Sequence, residues 1–326
     1  MDVQATLGRR LADWFRGSNS GQVLVGTLTG VLIIVFAVAT STLAFGSYGW
    51  GLFVLTPFVV GLATGYLVNR FEPMTARRTN GLVLLSAALG CLALILFALE
   101  GLICLILASP LAALLAIAGG SLGRTIAQRA NDRSKPLYCI ALLPFMFAAD
   151  AISPPSAELV SQESIEIAAP PERIWGEIIS SAPIAERPTL AGRLGLAYPL
   201  SGHLDRSGVG ARRFGVFSTG IAIERVTEWA PGRRLAFEVL TQPPAMKETS
   251  PHQTVHAPHV EGYFETGETQ FDLEPISANT TRLTIRAAHR LKIDPIIYWE
   301  PIALLAVREN TRRVLRDIAA RSERRD

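Results

Sequence analysis

The 326-residue chain predicts an all-α transmembrane bundle of four to five helices. It predicts next an α+β domain, with a curved antiparallel sheet around a long C-terminal helix. Three observations carry this expectation. Five long apolar stretches fill residues 1–152. Every Lys and Arg of that half falls into three clusters on one side of them. After Pro154-Pro155 the apolar pattern changes to the two-residue alternation of strands.

The expected spans are about 23–45, 50–68, 81–99, 101–122 and 137–152. The first four are long enough to cross a hydrocarbon core of about 30 Å at about 1.5 Å per residue. Inside a bilayer no water satisfies the backbone, so these stretches must be helical. The fifth, LYCIALLPFMFAADAI, reaches only about 24 Å as an α-helix. It contains Pro144 and ends near Asp150. A short crossing and a re-entrant or interfacial segment both fit it. The first span is too long for a cleaved signal peptide and reads as an anchor.

Arg9, Arg10 and Arg16 precede the first span, and Arg70, Arg77 and Arg78 follow the second. Arg124, Arg129, Arg133 and Lys135 follow the fourth. Connections at Ser47–Gly49 and Glu100 carry no positive charge. The basic side is expected to be cytoplasmic, with the N-terminus there. The chain then reads as a multi-pass protein of a bacterial inner membrane. Its C-terminal domain is periplasmic if the fifth segment crosses and cytoplasmic if it does not. Residues 1–19, with Leu7, Leu11, Trp14 and Phe15 on one face, suit an amphipathic surface helix or a basic leader.

Gly26/Gly30 and Gly61/Gly65 permit close helix approach, within the bundle or across a homo-oligomer seam. Pro57 and Pro110 are expected to kink their helices. The first four spans hold no ionisable group in their interiors, which disfavours a pump or secondary transporter. Cys91, Cys104 and Cys139 all lie in apolar segments, so the C-terminal half has neither a disulfide framework nor a cysteine zinc site. Ten basic and six acidic side chains before residue 151 give +4, while 21 and 22 after it give −1. A near-neutral C-terminal half has no electrostatic footprint for nucleic acid.

Residues 153–160 read as a linker and 161–326 as the second domain. Ser164–Ala168 alternates as a strand. Pro170, Pro171 and Glu172 open a helix with Ile174, Trp175, Ile178 and Ile179 on its apolar stripe. A second short helix is expected over Ala185–Leu194. Strands are expected at Ala211–Ser218, Ile221–Trp229 and Arg234–Thr241, separated by Thr219-Gly220 and Ala230-Pro231-Gly232 turns. Tyr263–Phe264 and Gln270–Glu274 fit two strands, or one with a bulge at Gly267, and Thr281–Ala288 closes the series. A helix over about 295–321 is expected to turn Trp299, Ile302, Leu305, Val314, Leu315 and Ile318 inward. Arg308, Arg312, Arg313, Arg316 and Arg321 then form its wet face.

The segments IEIAAPPERIWGEI, ERVTEWAPGRRLAFEV, PHVEGYFETGETQFDLEP and TRLTIRAAHRL, in this order, resemble the SRPBCC superfamily. That group comprises the START-like, pollen-allergen-like and polyketide-cyclase/dehydrase-like helix-grip domains. The resemblance covers about residues 161–322. It implies a helix-grip fold with a cavity between sheet and helix. For function it implies anything from lipid carrier to cyclase.

His252, His256 and His259 have a spacing that zinc tolerates, but in a Pro-rich loop they read as surface residues, so no metal is assigned. His203 and His289 read as strand-edge residues. Glu224 and Glu228, four apart and so on one strand face, read with Arg225 and Arg234 as a solvated ladder. Glu261, Glu265 and Glu268 cluster near another strand. No nucleophile elbow, phosphate loop or dinucleotide fingerprint occurs, so neither a catalytic residue nor a cofactor is assigned. The expected ligand-binding set is Phe214, Phe217, Trp229, Phe237, Tyr263, Phe271, His289 and Trp299, with Phe264 as a further aromatic and Arg212 and Arg213 as head-group contacts. The resulting expectation is a membrane-tethered binding or carrier module whose partners are the bilayer and a hydrophobic or lipid-like small molecule. A cyclase/dehydrase-type enzyme and a ligand sensor or assembly partner are the alternatives.

Overall fold

The computed structural model describes residues 19–129, 135–247 and 262–324. The expected N-terminal amphipathic segment and the His252/His256/His259 triplet lie outside the described residues. The described chain divides at Pro154/Pro155 into two compact units.

In the first unit, α1 (Asn19–Ala39) runs on through a π-helical turn, Thr40–Ala44. A second π-turn, Gly51–Leu55, leads into α2 (Thr56–Asn69). Pro57 sits in the first turn of α2, directly after this π-turn, where the helix geometry changes. Then come α3 (Ala76–Leu96) and α4 (Leu102–Arg129), with Pro110 inside α4. Among the described residues these make four stretches long and apolar enough to cross a membrane. A 3₁₀ segment, Lys135–Leu142, and α5 (Leu143–Ile152) complete the unit.

Helix α2 is the most buried of the four. It meets α4 backbone to backbone. A Cβ on Gly61 would lie 1.9 Å from the Ala116 carbonyl oxygen, and one on Gly119 would lie 2.0 Å from that of Phe58. Gly65 and Gly123 repeat the arrangement one turn further on, against Gly120 and Leu62. Gly26 and Gly30 receive Val68, Thr64 and Ser86. Both glycine pairs are therefore occupied inside one chain, where apolar side chains have no hydrophobic drive and close contact supplies the attraction. Ser86 Oγ donates to the Thr27 carbonyl at 2.9 Å, tying α3 to α1.

The two ends of this unit differ in charge. At one, Arg124 donates to the Met74 carbonyl at 2.8 Å, and the Met74 amide donates to Asn69 at 2.8 Å. At the other, Tyr48 donates to buried Glu100 at 2.7 Å, and the Gly51 amide donates to Asp150 at 2.8 Å. The fifth segment is longer than its residue count suggests. At about 2.0 Å per residue for the 3₁₀ part and about 1.5 Å for α5, it extends about 31 Å. Pro144 lies not in mid-helix but at the start of α5, where the geometry changes.

In the second unit, β1 (Ala157–Ile167) begins inside the expected linker. Then follow α6 (Pro171–Ile179), α7 (Leu190–Leu194) and β2 (Pro199–Leu204). Next are β3 (Arg212–Phe217), β4 (Gly220–Ala230), β5 (Arg234–Thr241), β6 (Phe264–Ser277), β7 (Thr280–Leu291) and α8 (Ile296–Ser322). Helix α7 is shorter than expected. Thr189 caps it, accepting from the Gly192 amide at 3.2 Å, and Gly195 ends it at φ +119°. β2 is a strand the sequence reading lacked. β6 is one strand, with a register shift at Gly267–Glu268.

Among the described residues the sheet has seven strands, all antiparallel, in the order β1-β7-β6-β5-β4-β3-β2. It curls into a half-barrel with α8 on its concave face. Opposed residues of an antiparallel pair share a face. Leu283 and Ile285 of β7, Leu273 and Phe271 of β6, and Leu235 and Phe237 of β5 thus point the same way. They meet Ile174, Trp175 and Ile178 of α6 and Leu315, Ile318 and Ala319 of α8 in one dry core. Fully burying each such aliphatic side chain contributes about 1.5–3 kcal/mol.

The inward stripe of α8 departs from expectation. Leu305 is exposed, while Arg313, expected on the wet face, is 1% exposed. Its guanidinium donates to the carbonyls of Glu186 at 2.8 Å and Pro199 at 2.5 Å. Backbone oxygens of a loop residue and of the first residue of β2 thus satisfy a buried cation.

Replacing Gly119 by Ala should lower the thermal stability of the detergent-solubilised protein sharply, because the new Cβ meets backbone. Gly81→Ala, where nothing lies within 4 Å, should not. Paired melting curves check this contrast.

Candidate functional site

Helix α8 runs beside β1 in the same direction. Glu163 of β1 is bonded by Arg312 at 2.9 Å, and the Ala168 amide by Glu323 at 2.9 Å. The C-terminal half of α8 closes the dry core. Its N-terminal half does not: from Glu300 to Arg312 no residue is buried, although Trp299 and Arg313 on either side are.

The concave face that continues beyond the dry core is polar. On β7, His289 shares a face with Leu283 and Ile285. Ser161 Oγ of β1 lies 2.9 Å from His289 Nε2, and Thr266 Oγ1 of β6 lies 3.2 Å from Nδ1. Ser161 is 2% exposed and His289 6%. The Phe264 ring stacks on the imidazole at 5.2 Å. Further along the same face, Arg213 of β3 is ion-paired to Glu224 of β4, which is 4% exposed. The Arg213 guanidinium also lies 4.5 Å from the centroid of Phe237.

Burial holds the His289 imidazole neutral, with its pKa lowered to about 4. Burial likewise pushes the Glu224 carboxyl up, while Arg213 opposes the rise.

The expected binding residues separate. Phe237 and Phe271 belong to the dry core, and Trp229 packs edge-on against Trp175 at 5.1 Å beside it. Phe217 and Tyr263 are half-buried, and Trp299 is buried at the start of α8. Phe214 is a correction: it opposes Ile223, on the outer face, and stacks on His203 at 4.9 Å. Arg212 is exposed on that same outer face. His203 does sit on an edge strand, but His289 is interior, paired on both sides.

A β-bulge between Val226 and Glu228 breaks the expected pairing of Glu224 and Glu228. Glu224 turns inward to Arg213, and Glu228 turns outward to Arg234 at 3.7 Å. Glu265 also faces outward, opposite Arg290, and accepts from Lys292 at 2.5 Å. Ser161, Thr266 and Glu224 are inward polar residues of this face missed by aromatic counting. Their alternation with apolar neighbours on inward-facing positions is the signal that could have found them.

Among the described residues no group of three or more His, Cys, Asp or Glu is placed to hold a metal ion. A shallow open groove of about 410 Å³ on the far side of α8 is lined by Ala185, Glu186, Arg187, Asp317 and Arg321. Arg321 is ion-paired there with Asp317 at 3.0 Å and Glu177 at 2.9 Å.

Strand, two short helices, six antiparallel strands and a helix laid across the concave face make a helix-grip unit. Several solved structures are similar to the C-terminal half of this chain. A START superfamily protein from Mycobacterium smegmatis shares 14% identity over 50% of this chain and 97% of its own, with a TM-score of 0.32. A point mutant of norcoclaurine synthase from Thalictrum flavum, in complex with a transition state analogue, shares 12% over 49% and 96%, with a TM-score of 0.29. A conserved protein from Geobacillus kaustophilus shares 16% over 50% and 96%, with a TM-score of 0.31. At these values they add nothing to the strand order and helix placement. No protein-family model matches the chain, and no curated protein matches it.

The neutral His289 makes stability depend on pH. Above 6.5 neither state binds the proton. Between 6.5 and about 4 the unfolded chain binds it and the folded chain does not, so stability falls as the pH falls. The loss across that window is about 3 kcal/mol. Denaturant unfolding of wild type and His289→Gln at several pH values checks it: the variant should lack this part of the slope.

Proposed function

We propose that the C-terminal unit binds a small amphiphilic molecule between the concave face and the N-terminal half of α8. One observation carries the reading. Dry polar groups, Ser161, His289 and Glu224, line the same face as a hydrocarbon core, opposite a stretch of helix that buries none of its own residues. An apolar wall with a few convergent polar groups is the usual composition of a ligand site. Phe217 and Tyr263, half-buried, and Trp299 at the head of α8 would supply apolar contacts, and Arg213 a polar one.

The ligand would be met beside a bilayer, and four apolar helices on the same chain would raise its local concentration. For the orientation, the fifth segment supports an outward C-terminal unit. Arg124, towards the C-terminal end of α4, bonds the α2–α3 connection at the basic end. Asp150 is bonded to Gly51 at the uncharged end. A segment joining these two ends would run the length of the bundle. With the basic end cytoplasmic, the N-terminus lies inside and the C-terminal unit outside, in the periplasm of a bacterium.

A second reading, an enzyme of the cyclase/dehydrase type, has its own observation: a neutral imidazole bonded to a serine hydroxyl on the proposed binding face is a candidate proton acceptor.

Two measurements test these statements. Alkaline phosphatase fused after Asp326 should be active, and a cytoplasmic reporter fused there should be silent. The reverse pattern overturns the orientation. Protein purified from membranes should release one class of amphiphile on denaturation, seen by mass spectrometry against a preparation of the membrane unit's lipids. Release of bulk lipid only overturns the binding reading.

A further inference from the structure

The Ser161–His289–Thr266 relay has an odd number of protons. Two hydroxyls and a neutral imidazole carry three N–H or O–H hydrogens between them. The two contacts at 2.9 and 3.2 Å use two. Whichever ring nitrogen bears its proton, one hydroxyl donates to the imidazole and the other accepts from it. The accepting hydroxyl keeps its own hydrogen, and among the described residues no acceptor for it is recorded. Where Ser161, 2% exposed, is the accepting hydroxyl, its leftover donor is dry, which is costly and calls for a partner.

The charge on this face is already balanced. The guanidinium of Arg213 is matched by Glu224, and the relay itself is neutral, as the depressed basicity of His289 agrees. An anionic or cationic head would enter a low-dielectric site without a counter-charge, which is far more costly than leaving one hydroxyl unsatisfied. A neutral oxygen has no such penalty. A ligand hydroxyl or carbonyl accepts the spare hydrogen, and a hydroxyl can also donate to a free lone pair of Ser161 or Thr266.

Resting on the binding reading above, we infer that the ligand is an uncharged amphiphile whose hydroxyl or carbonyl oxygen is read by Ser161, His289 and Thr266. Fatty acids and phospholipids are excluded by charge rather than by size. The neighbouring Phe264 ring, stacked on the imidazole, limits its rotation and holds the relay in place.

The test uses the full chain in detergent micelles and three probes of one chain length: dodecanol, dodecanoate and dodecane. Dodecanol should bind at least about tenfold more tightly than either of the others, the equivalent of one good neutral hydrogen bond. Thr266→Val, nearly isosteric and at a half-buried position, should bring dodecanol to within about twofold of dodecane and leave dodecane unchanged. Ser161→Ala serves as the second variant should Thr266→Val not fold. Dodecanoate binding more tightly than dodecanol overturns the inference and leaves the binding reading intact. Equal binding of dodecanol and dodecane overturns it as well. No binding of any probe removes both.

Discussion

The C-terminal unit depends on the unbroken alternation of β7. Thr281, Leu283, Ile285, Ala287, His289 and Leu291 are all buried, while Arg282, Arg286 and Arg290 are all exposed. β7 pairs with β1 over eleven residues without a slip. A slip of one residue would put three arginines into the core and every apolar partner into water. The same alternation carries the polar site. His289 is inward for the same reason that Leu283 is, two and then four residues along the pleat.

Where alternation was intact the sequence was legible. β3, β4, β5, β7 and α8 lie within a few residues of their expected bounds, and even the irregularity at Gly267 was marked by its glycine. Parity failed where a bulge intervened. Glu224 and Glu228 sit four apart, yet the extra residue between Val226 and Glu228 sends them to opposite faces. Phe214 was assigned inward because it is aromatic, whereas its opposition to Ile223 places it outside. PLSGHL had too little apolar character to read as β2. Arg313 was unreadable for a different reason. A lone arginine among arginines carries no mark of burial, and the carbonyls that satisfy it lie over a hundred residues away.

In the N-terminal half, hydropathy located the four long helices, because each is a long uninterrupted apolar run. It could not indicate that the fifth segment begins as a 3₁₀ helix, since tighter winding leaves no signature in composition. The glycine spacing was visible, but its use was not. Whether a small residue faces its own chain or a second copy depends on which helix stands opposite, and that is decided by the connections.

The bond between Asp150 and the Gly51 amide has a consequence for biogenesis. The last hydrophobic segment to leave the ribosome rests on the turns Thr40–Ala44 and Gly51–Leu55, which belong to the first hairpin made. The bundle is thus closed by its two ends, head to tail. The earliest hairpin must wait in the lipid, with that face unclaimed, until nearly a hundred more residues have been synthesised.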